Sequence, residues 1–213
     1  MPNNYDAVAR FYDGLAKLVF GKALIKAQRF LVENISAEKN ILIVGGGTGW
    51  ILEEFAAYTS DLQIVYVEIS AEMLRLARQK DCGKNAVIFV HSAIEDYQPD
   101  QSFDVIFTAF LFDNFVENRI KSVFNQLHQS LKPGGKWLLS DFRVEKNLAG
   151  LWQNMILQTM YWFFGWLCKV EAKKLVAMEK YFQAENYQLL KEKIFYSGFI
   201  SSKVYQSNFK NSR

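Results

Sequence analysis

Residues 40 to 55 read NILIVGGGTGWILEEF, and Gly45, Gly46, Gly47 and Gly49 crowd four glycines into five positions. Glycine is entropically costly in ordered structure, so a cluster of this kind implies that a ligand approaches the backbone. Nineteen residues after Gly49 comes Glu68, at the end of the apolar run QIVYVE. A carboxylate about 20 residues past such a loop has the spacing for gripping ribose hydroxyls. A third group is FLFDNF, residues 110 to 115, where Asp113 offers a carboxylate for proton transfer and Asp113 or Asn114 offers a helix cap. The two histidines, His91 and His128, have neighbours without metal-ligand spacing, so no metal is expected. Cys82 and Cys168 stand far apart and read as reduced thiols.

Three ligand classes compete for the glycine loop. A nucleoside triphosphate would need Gly-Lys-Ser/Thr after it, whereas Gly49 is followed by Trp50 and Ile51. A dinucleotide fingerprint starts with Gly45 and Gly47, but its third glycine falls on Trp50, where close helix packing demands a small residue. The pattern left is G-x-G-x-G.

The elements that must hold these groups alternate along the chain. Two helices broken near Gly21 are expected within residues 5 to 35. Strands follow at 41–44, 63–70, 86–92, 103–110 and 135–142, with helices between them. Ser70 is placed to cap the helix AEMLRLARQK, and Pro133-Gly134-Gly135 to close the helix before the fifth strand. The segment YQLLKEKIFYSGFISSKVYQS alternates around Ser197-Gly198 as an antiparallel hairpin does. Continuous apolar strands separated by helices imply a mostly parallel, doubly wound sheet covered on both faces, in one α/β domain.

Composition narrows the function. The chain has 213 residues, half of them hydrophobic, and a formal net charge of +3. Residues 169 to 213 hold nine Lys/Arg against four Glu, a basic end that more often solvates a face than binds anions. The start, MPNNYDAVARFYD, lacks the apolar core of a signal peptide, so a cytoplasmic protein is expected. Low charge and the lack of a basic-aromatic platform argue against a nucleic-acid partner.

The ordered stretches ILIVGGGTGW, VYVEIS, FDVIFTAF and LKPGGKWLLSDF resemble the motifs of class I S-adenosylmethionine-dependent methyltransferases over residues 40 to 142. The segment YDAVARFYD is similar to one that precedes the sheet in small-molecule members, quinone methyltransferases among them. The resemblance implies a Rossmann-like seven-stranded sheet whose last strand is antiparallel and inserted beside the fifth. It divides the chain into an N-terminal helical lid (1–36), a cofactor-binding core (40–142), a helical insertion (147–180) and a terminal hairpin (187–207). It further implies S-adenosylmethionine as cofactor, held by Gly45, Gly46, Gly47 and Gly49, by Glu68 on the ribose, by Ile69, Ser92 and Ala93 around adenine, and by Phe110. Tyr5 and Tyr12, seven apart, are expected on one helical face over the methionine end. Asp113 is the expected base for an acceptor that loses a proton.

Two positions depart from the family pattern. Ser92 stands where Asp is frequent, and Ile43 stands where strand one has an acid two residues before the first glycine. The second departure leaves open an impaired, scaffold-like member, beside the further alternative of a nucleic-acid or protein methyltransferase. The acceptor is expected to be small and apolar, because residues 151 to 168 hold three Trp, two Phe, two Met and one Tyr. That segment is too interrupted by Gln153, Asn154 and Gln158 to span a bilayer. A lid over the acceptor, with Trp152, Met155 and Trp162 on the cavity, is the expected use. Dimerisation of an otherwise monomeric chain and membrane-surface contact are the others.

Overall fold

The structure is a computed structural model that describes residues 5–6, 9–36, 38–145, 147–168 and 170–208, with the side chains of Arg10, Tyr12 and Leu167 outside the description. Two helices, α1 (Ala9–Phe20) and α2 (Ala23–Val32), turn at Gly21, whose φ of 57° suits a residue without a side chain. Then come β1 (Asn40–Val44), α3 (Trp50–Tyr58), β2 (Gln63–Glu68), α4 (Ala71–Ala77), β3 (Ala86–His91) and β4 (Phe103–Ala109). The rest is α5 (Glu117–Ser130), β5 (Leu131–Phe142), α6 (Ala149–Cys168), α7 (Glu179–Ala184), β6 (Gln188–Phe195) and β7 (Ile200–Gln206).

The seven strands form one sheet in the order β3-β2-β1-β4-β5-β7-β6. Strands β1 to β5 pair in parallel, and β7 runs antiparallel to both of its neighbours. The sheet is the expected one, with the inserted antiparallel strand.

Strand alternation explains the two cores. In β1, Leu42 and Val44 join Trp137, Phe124 and Phe182 on one face, while Ile41 and Ile43 join Phe55, Tyr66 and Leu31 on the other. Helices α5 and α7 cover the first face, and α2 and α3 the second. Because β1 is buried on both faces, it reads as a continuous apolar run.

Two local expectations change. Helix α5 ends at Ser130, since Leu131 is already extended at ψ 135°, and β5 runs across Pro133-Gly134-Gly135. Leu131 pairs with Phe103 and the register shifts before Val105 pairs with Lys136, so the Pro-Gly-Gly run is an irregularity of the strand rather than a helix stop. Ser70 does cap α4, its hydroxyl accepting the Met73 N–H at 3.2 Å. The N-terminal helices also differ from each other. Helix α2 packs on the sheet, where the Ser202 hydroxyl donates to the Ala27 carbonyl at 2.9 Å, and residues of both α1 and α2 border a cavity.

Candidate active site

The sheet order reverses between β1 and β4, since the chain winds from β1 to β3 on one side and continues at β4 on the other. Crevices at such a point, beyond the carboxyl ends of parallel strands, are where ligands bind in this architecture. A cavity of about 680 Å³ lies there, within the range of small-molecule sites. Its floor is the glycine loop, Glu68 and the ends of β2 and β4; its upper walls come from α1, α2 and α6.

The glycines have different tasks. A side chain on Gly46 would run into the Tyr66 ring at 2.4 Å, so this glycine exists to admit Tyr66, whose hydroxyl donates to the Gly47 carbonyl at 3.0 Å. At Gly47, which lines the cavity with a φ of 64°, the nearest atom to an added Cβ is Met73 Sδ at 3.9 Å. Gly47 is therefore the close-approach position. Gly45 lines the cavity too, against Leu111. Gly49 does not; it starts α3 and packs on Ala77 of α4, where an added Cβ would lie 2.6 Å from backbone. The small residue needed for close helix packing is thus Gly49, one position before the dinucleotide register.

Glu68 is buried at the end of β2 and fixed by two backbone donors, Gly47 N–H at 3.0 Å and Ser70 N–H at 2.9 Å. Burial raises its pKa above the ordinary value, while those donors pull it down. Ile69 lines the cavity beside it. At the end of β3, Ser92 and Ile94 reach the wall, and Ala93 does not. The Ser92 hydroxyl donates to the Ala93 carbonyl at 2.8 Å. His91 is tied instead to the Ile69 carbonyl at 3.0 Å, and His128 lies by Tyr187 and Glu185, away from the cavity.

Past β4, Phe110 adopts φ 53°, a strained value for an aromatic residue, and faces the cavity while its N–H donates to the Ser140 carbonyl at 2.8 Å. Asp113 also lines the cavity and is buried. The Asn114 amide donates to the Phe110 carbonyl at 2.9 Å and to Asp113 Oδ1 at 2.8 Å, holding this turn in place. Neither residue caps α5, whose N-cap is Val116 without a side-chain bond. Burial lifts the Asp113 pKa well above the carboxylate range, and the neighbouring Asp141 lifts it further. Asp141, buried near the end of β5, is raised to about 7, first by burial.

The N-terminal segment meets the turn after β4, the start of α4 and the glycine loop through Tyr5, Asp6 and Asp13 respectively. Tyr5 donates its hydroxyl to Asn114 Oδ1 and lines the cavity. It precedes α1 rather than lying in it, so the two-turn relation to Tyr12 does not apply, and the Tyr12 side chain is outside the described residues. Asp6 accepts the Glu72 N–H at the start of α4, and Asp13 accepts the Thr48 hydroxyl at 2.8 Å. Spacing arguments had missed both acids, although the repeated Tyr-Asp dipeptide was their signal.

On α6, Trp162 reaches the cavity edge with Thr159, Met160 and Phe163. Trp152 instead packs among Tyr196 and Phe199, and Met155 points to solvent. Two further features come from three-dimensional proximity alone. Arg119 lies 4.2 Å over the Phe115 ring and pairs with Glu95 at the cavity wall, and the Tyr161 hydroxyl is buried without a hydrogen-bond partner among the described residues.

A parallel sheet with an inserted antiparallel strand, a glycine loop after β1 and an acid ending β2 define a nucleoside-binding fold of the methyltransferase type. A family model described as "Methyltransferase domain" matches residues 41–135. A malonyl-[acyl-carrier protein] O-methyltransferase of Ilyobacter polytropus is 30% identical over 139 residues, 65% of this chain and 52% of the relative. The ubiquinone/menaquinone biosynthesis C-methyltransferase UbiE of Teredinibacter turnerae is 27% identical over 197 residues, 89% of this chain and 74% of the relative. The chain thus spans about half the length of the first relative. The N-methyltransferase NodS of Bradyrhizobium japonicum, solved with S-adenosyl-L-homocysteine, superposes with a TM-score of 0.63 at 12% identity, over 87% of this chain and 86% of that one. The chain is thus similar, in sequence over residues 41–135 and in fold, to class I S-adenosylmethionine-dependent methyltransferases.

Proposed function

We propose that this chain transfers the methyl group of S-adenosylmethionine to a small apolar acceptor. The observation that carries this reading is the pairing of an open Gly47 with a buried Glu68 on the floor of one cavity. The space above Gly47 fits a ligand lying on main chain, and Glu68 keeps acceptor capacity for ribose hydroxyls beyond its two backbone donors. Gly45 and Gly46 complete the floor, Ile69 and Ser92 flank the adenine position, and Phe110 closes the other side. The N-terminus of α3 supplies donors for a carboxylate. Strand one has Ile43 where an acid is usual, and Asp13, held at Thr48, supplies a carboxylate for the ammonium group instead. Helices α1 and α6 act as covers over the core.

When bound, S-adenosylmethionine supplies an electrophilic methyl carbon whose transfer leaves a neutral thioether. The protein's part is to align the acceptor and exclude water, which is worth up to ~7–11 kcal/mol. Where the acceptor atom carries a proton, Asp113 removes it. The apolar wall made by Leu111, Phe110, Met160 and Phe163 favours an apolar acceptor over nucleic acid, and α6 presents the surface where a membrane or a second copy would meet the protein.

Calorimetric titration with S-adenosylmethionine and S-adenosylhomocysteine, followed by labelled-methyl transfer to a panel of apolar acceptors, tests this reading. Binding of both cofactor forms with label appearing in an acceptor is the expected result. Absence of cofactor binding overturns it, and binding without transfer to any acceptor favours the scaffold alternative.

A further inference from the structure

Helix α6 is built inside out along one edge. Gln153 is fully buried, accepting the Glu145 N–H at 2.7 Å and donating to the Ser197 carbonyl at 3.1 Å. The solvent side meanwhile carries Leu148, Leu151, Met155, Trp162 and Trp166, which are 84, 70, 66, 74 and 76% exposed. Their steps of three, four, seven and four residues put them on one narrow stripe of a helix, about 27 Å long. Between Ala149 and Cys168 the sequence contains no charged residue. Large exposed apolar patches on a folded protein mark a contact surface.

A second piece of the surface extends this one. Phe11 and Leu18, seven residues apart on α1, are 64 and 83% exposed. Helices α1 and α6 together wall the cavity, through Leu15, Ala16 and Val19 on one and Met160, Trp162 and Phe163 on the other. Trp162 is at once a cavity residue and the most exposed tryptophan but one. The apolar surface is therefore continuous with the cavity mouth. Exposed lysines stand near it along the chain: Lys17 and Lys22 on either side of Leu18, and Lys173 and Lys174 shortly after α6, where Lys174 also faces Glu117.

We propose that this face docks on an anionic lipid bilayer, with α6 lying in the interface plane, so that an apolar acceptor passes from the membrane into the cavity. The proposal rests on the methyl-transfer reading above for the nature of the cargo. An uncharged helix face bearing leucine and tryptophan, flanked by lysines, is the arrangement that partitions into the headgroup boundary. Tryptophan favours that boundary because its ring is apolar and its N–H is polar. The lysines also argue for lipid over a second copy. In a two-fold contact the same patch meets itself and brings lysine toward lysine, whereas anionic headgroups complement them. The helix does not cross the membrane, as no helix among the described residues is long and apolar enough to do so.

The test is co-sedimentation of the full chain with vesicles of phosphatidylcholine containing a minority of phosphatidylglycerol, against vesicles of phosphatidylcholine alone. Leu151→Glu combined with Trp166→Glu is the informative variant, because neither residue lines the cavity. The wild type is expected to pellet with the anionic vesicles, and the variant to lose roughly tenfold or more of its partitioning. The variant's melting temperature and its affinity for S-adenosylmethionine should match the wild type, which separates lost docking from lost folding. A wild type that stays in the supernatant, or a variant that pellets equally well, overturns the proposal. So does a stable dimer that the variant dissolves without any vesicle binding. Failure of cofactor binding with vesicle binding intact would overturn the methyl-transfer reading and leave the docking surface standing.

Discussion

Glu68 Oε2 accepts the backbone N–H of Gly47 at 3.0 Å, and this one bond ties the end of β2 to the loop that follows β1. The carboxylate therefore serves two purposes, fixing the loop and facing the cavity. Glu68→Gln keeps an acceptor oxygen for Gly47 while removing the charge. It should weaken S-adenosylmethionine binding by ~1.5–3 kcal/mol, the value of a charge-assisted hydrogen bond, and also lower the melting temperature, because its amide nitrogen opposes the Ser70 N–H that Oε1 accepts. Glu68→Ala should do the same and lower stability further, because both buried N–H groups then lose their partner. Isothermal titration of both variants checks this; unaltered affinity in the glutamine variant would remove Glu68 from the ribose.

Adjacent glycines should fail in different ways. Gly46→Ala drives a methyl group into the Tyr66 ring at 2.4 Å, in a packed core that cannot yield cheaply. It should cost ~1–3 kcal/mol of stability and show as a lower melting temperature. Gly47→Ala meets no protein atom nearer than 3.9 Å, so its stability cost is confined to the left-handed backbone, ~1–2 kcal/mol. Its larger effect should be on cofactor affinity, since the methyl group occupies the approach surface. Thermal melts and titrations of the pair decide the matter, and equal affinity losses would show that Gly47 is as structural as Gly46.

The centre of the sheet was legible because β1, β2 and β4 are buried on both faces and read as nearly unbroken apolar runs between helical patterns. The ends of β1 and β2 were legible for the same reason, since glycine and acid interrupt those runs abruptly. Helix α6 was not. Among its 20 residues no charge distinguishes inside from outside, and the polar Gln153 is buried while Met155 and Trp166 are exposed. Polarity gave the wrong face, and Trp152 and Met155 went to the wrong surroundings. Asp141 was invisible for another reason. Its importance comes from lying near Asp113 on the neighbouring strand end, a relation that no local spacing encodes.

That acid pair makes stability depend on pH. Burial raises Asp141 from an ordinary 3.8 to about 7, opposed by the Phe142 N–H at 2.8 Å and aided by Glu179. A folded pKa above the unfolded one means that the folded state prefers the protonated group. Its stabilising contribution is complete below about 3.8 and is lost as pH rises through about 7. Asp141→Asn keeps the neutral shape and the Phe142 bond at every pH. The variant should match the wild type near pH 4 and exceed it at pH 8 by on the order of 2–4 kcal/mol. Denaturant titrations across this window test the claim, and parallel curves for the two proteins would refute it.

Asp113 carries the catalytic expectation. It faces the cavity, the Asn114 amide orients it, and it has no capping duty toward α5. Burial and Asp141 hold its pKa well above the carboxylate range, so ionised Asp113 is a strong base that becomes available only as pH rises. With an acceptor that loses a proton, turnover should climb as pH rises above the ordinary carboxylate range. Asp113→Asn should flatten that climb and lower turnover by ~10²–10⁴-fold, while affinity for S-adenosylmethionine stays the same. Asp141→Asn should leave the base in place but move the rising limb to lower pH, since one source of repulsion is gone. A merely structural Asp113 would lower the melting temperature and leave the pH profile where it was. Full turnover in Asp113→Asn would mean that alignment in a dry cavity drives the transfer without a base.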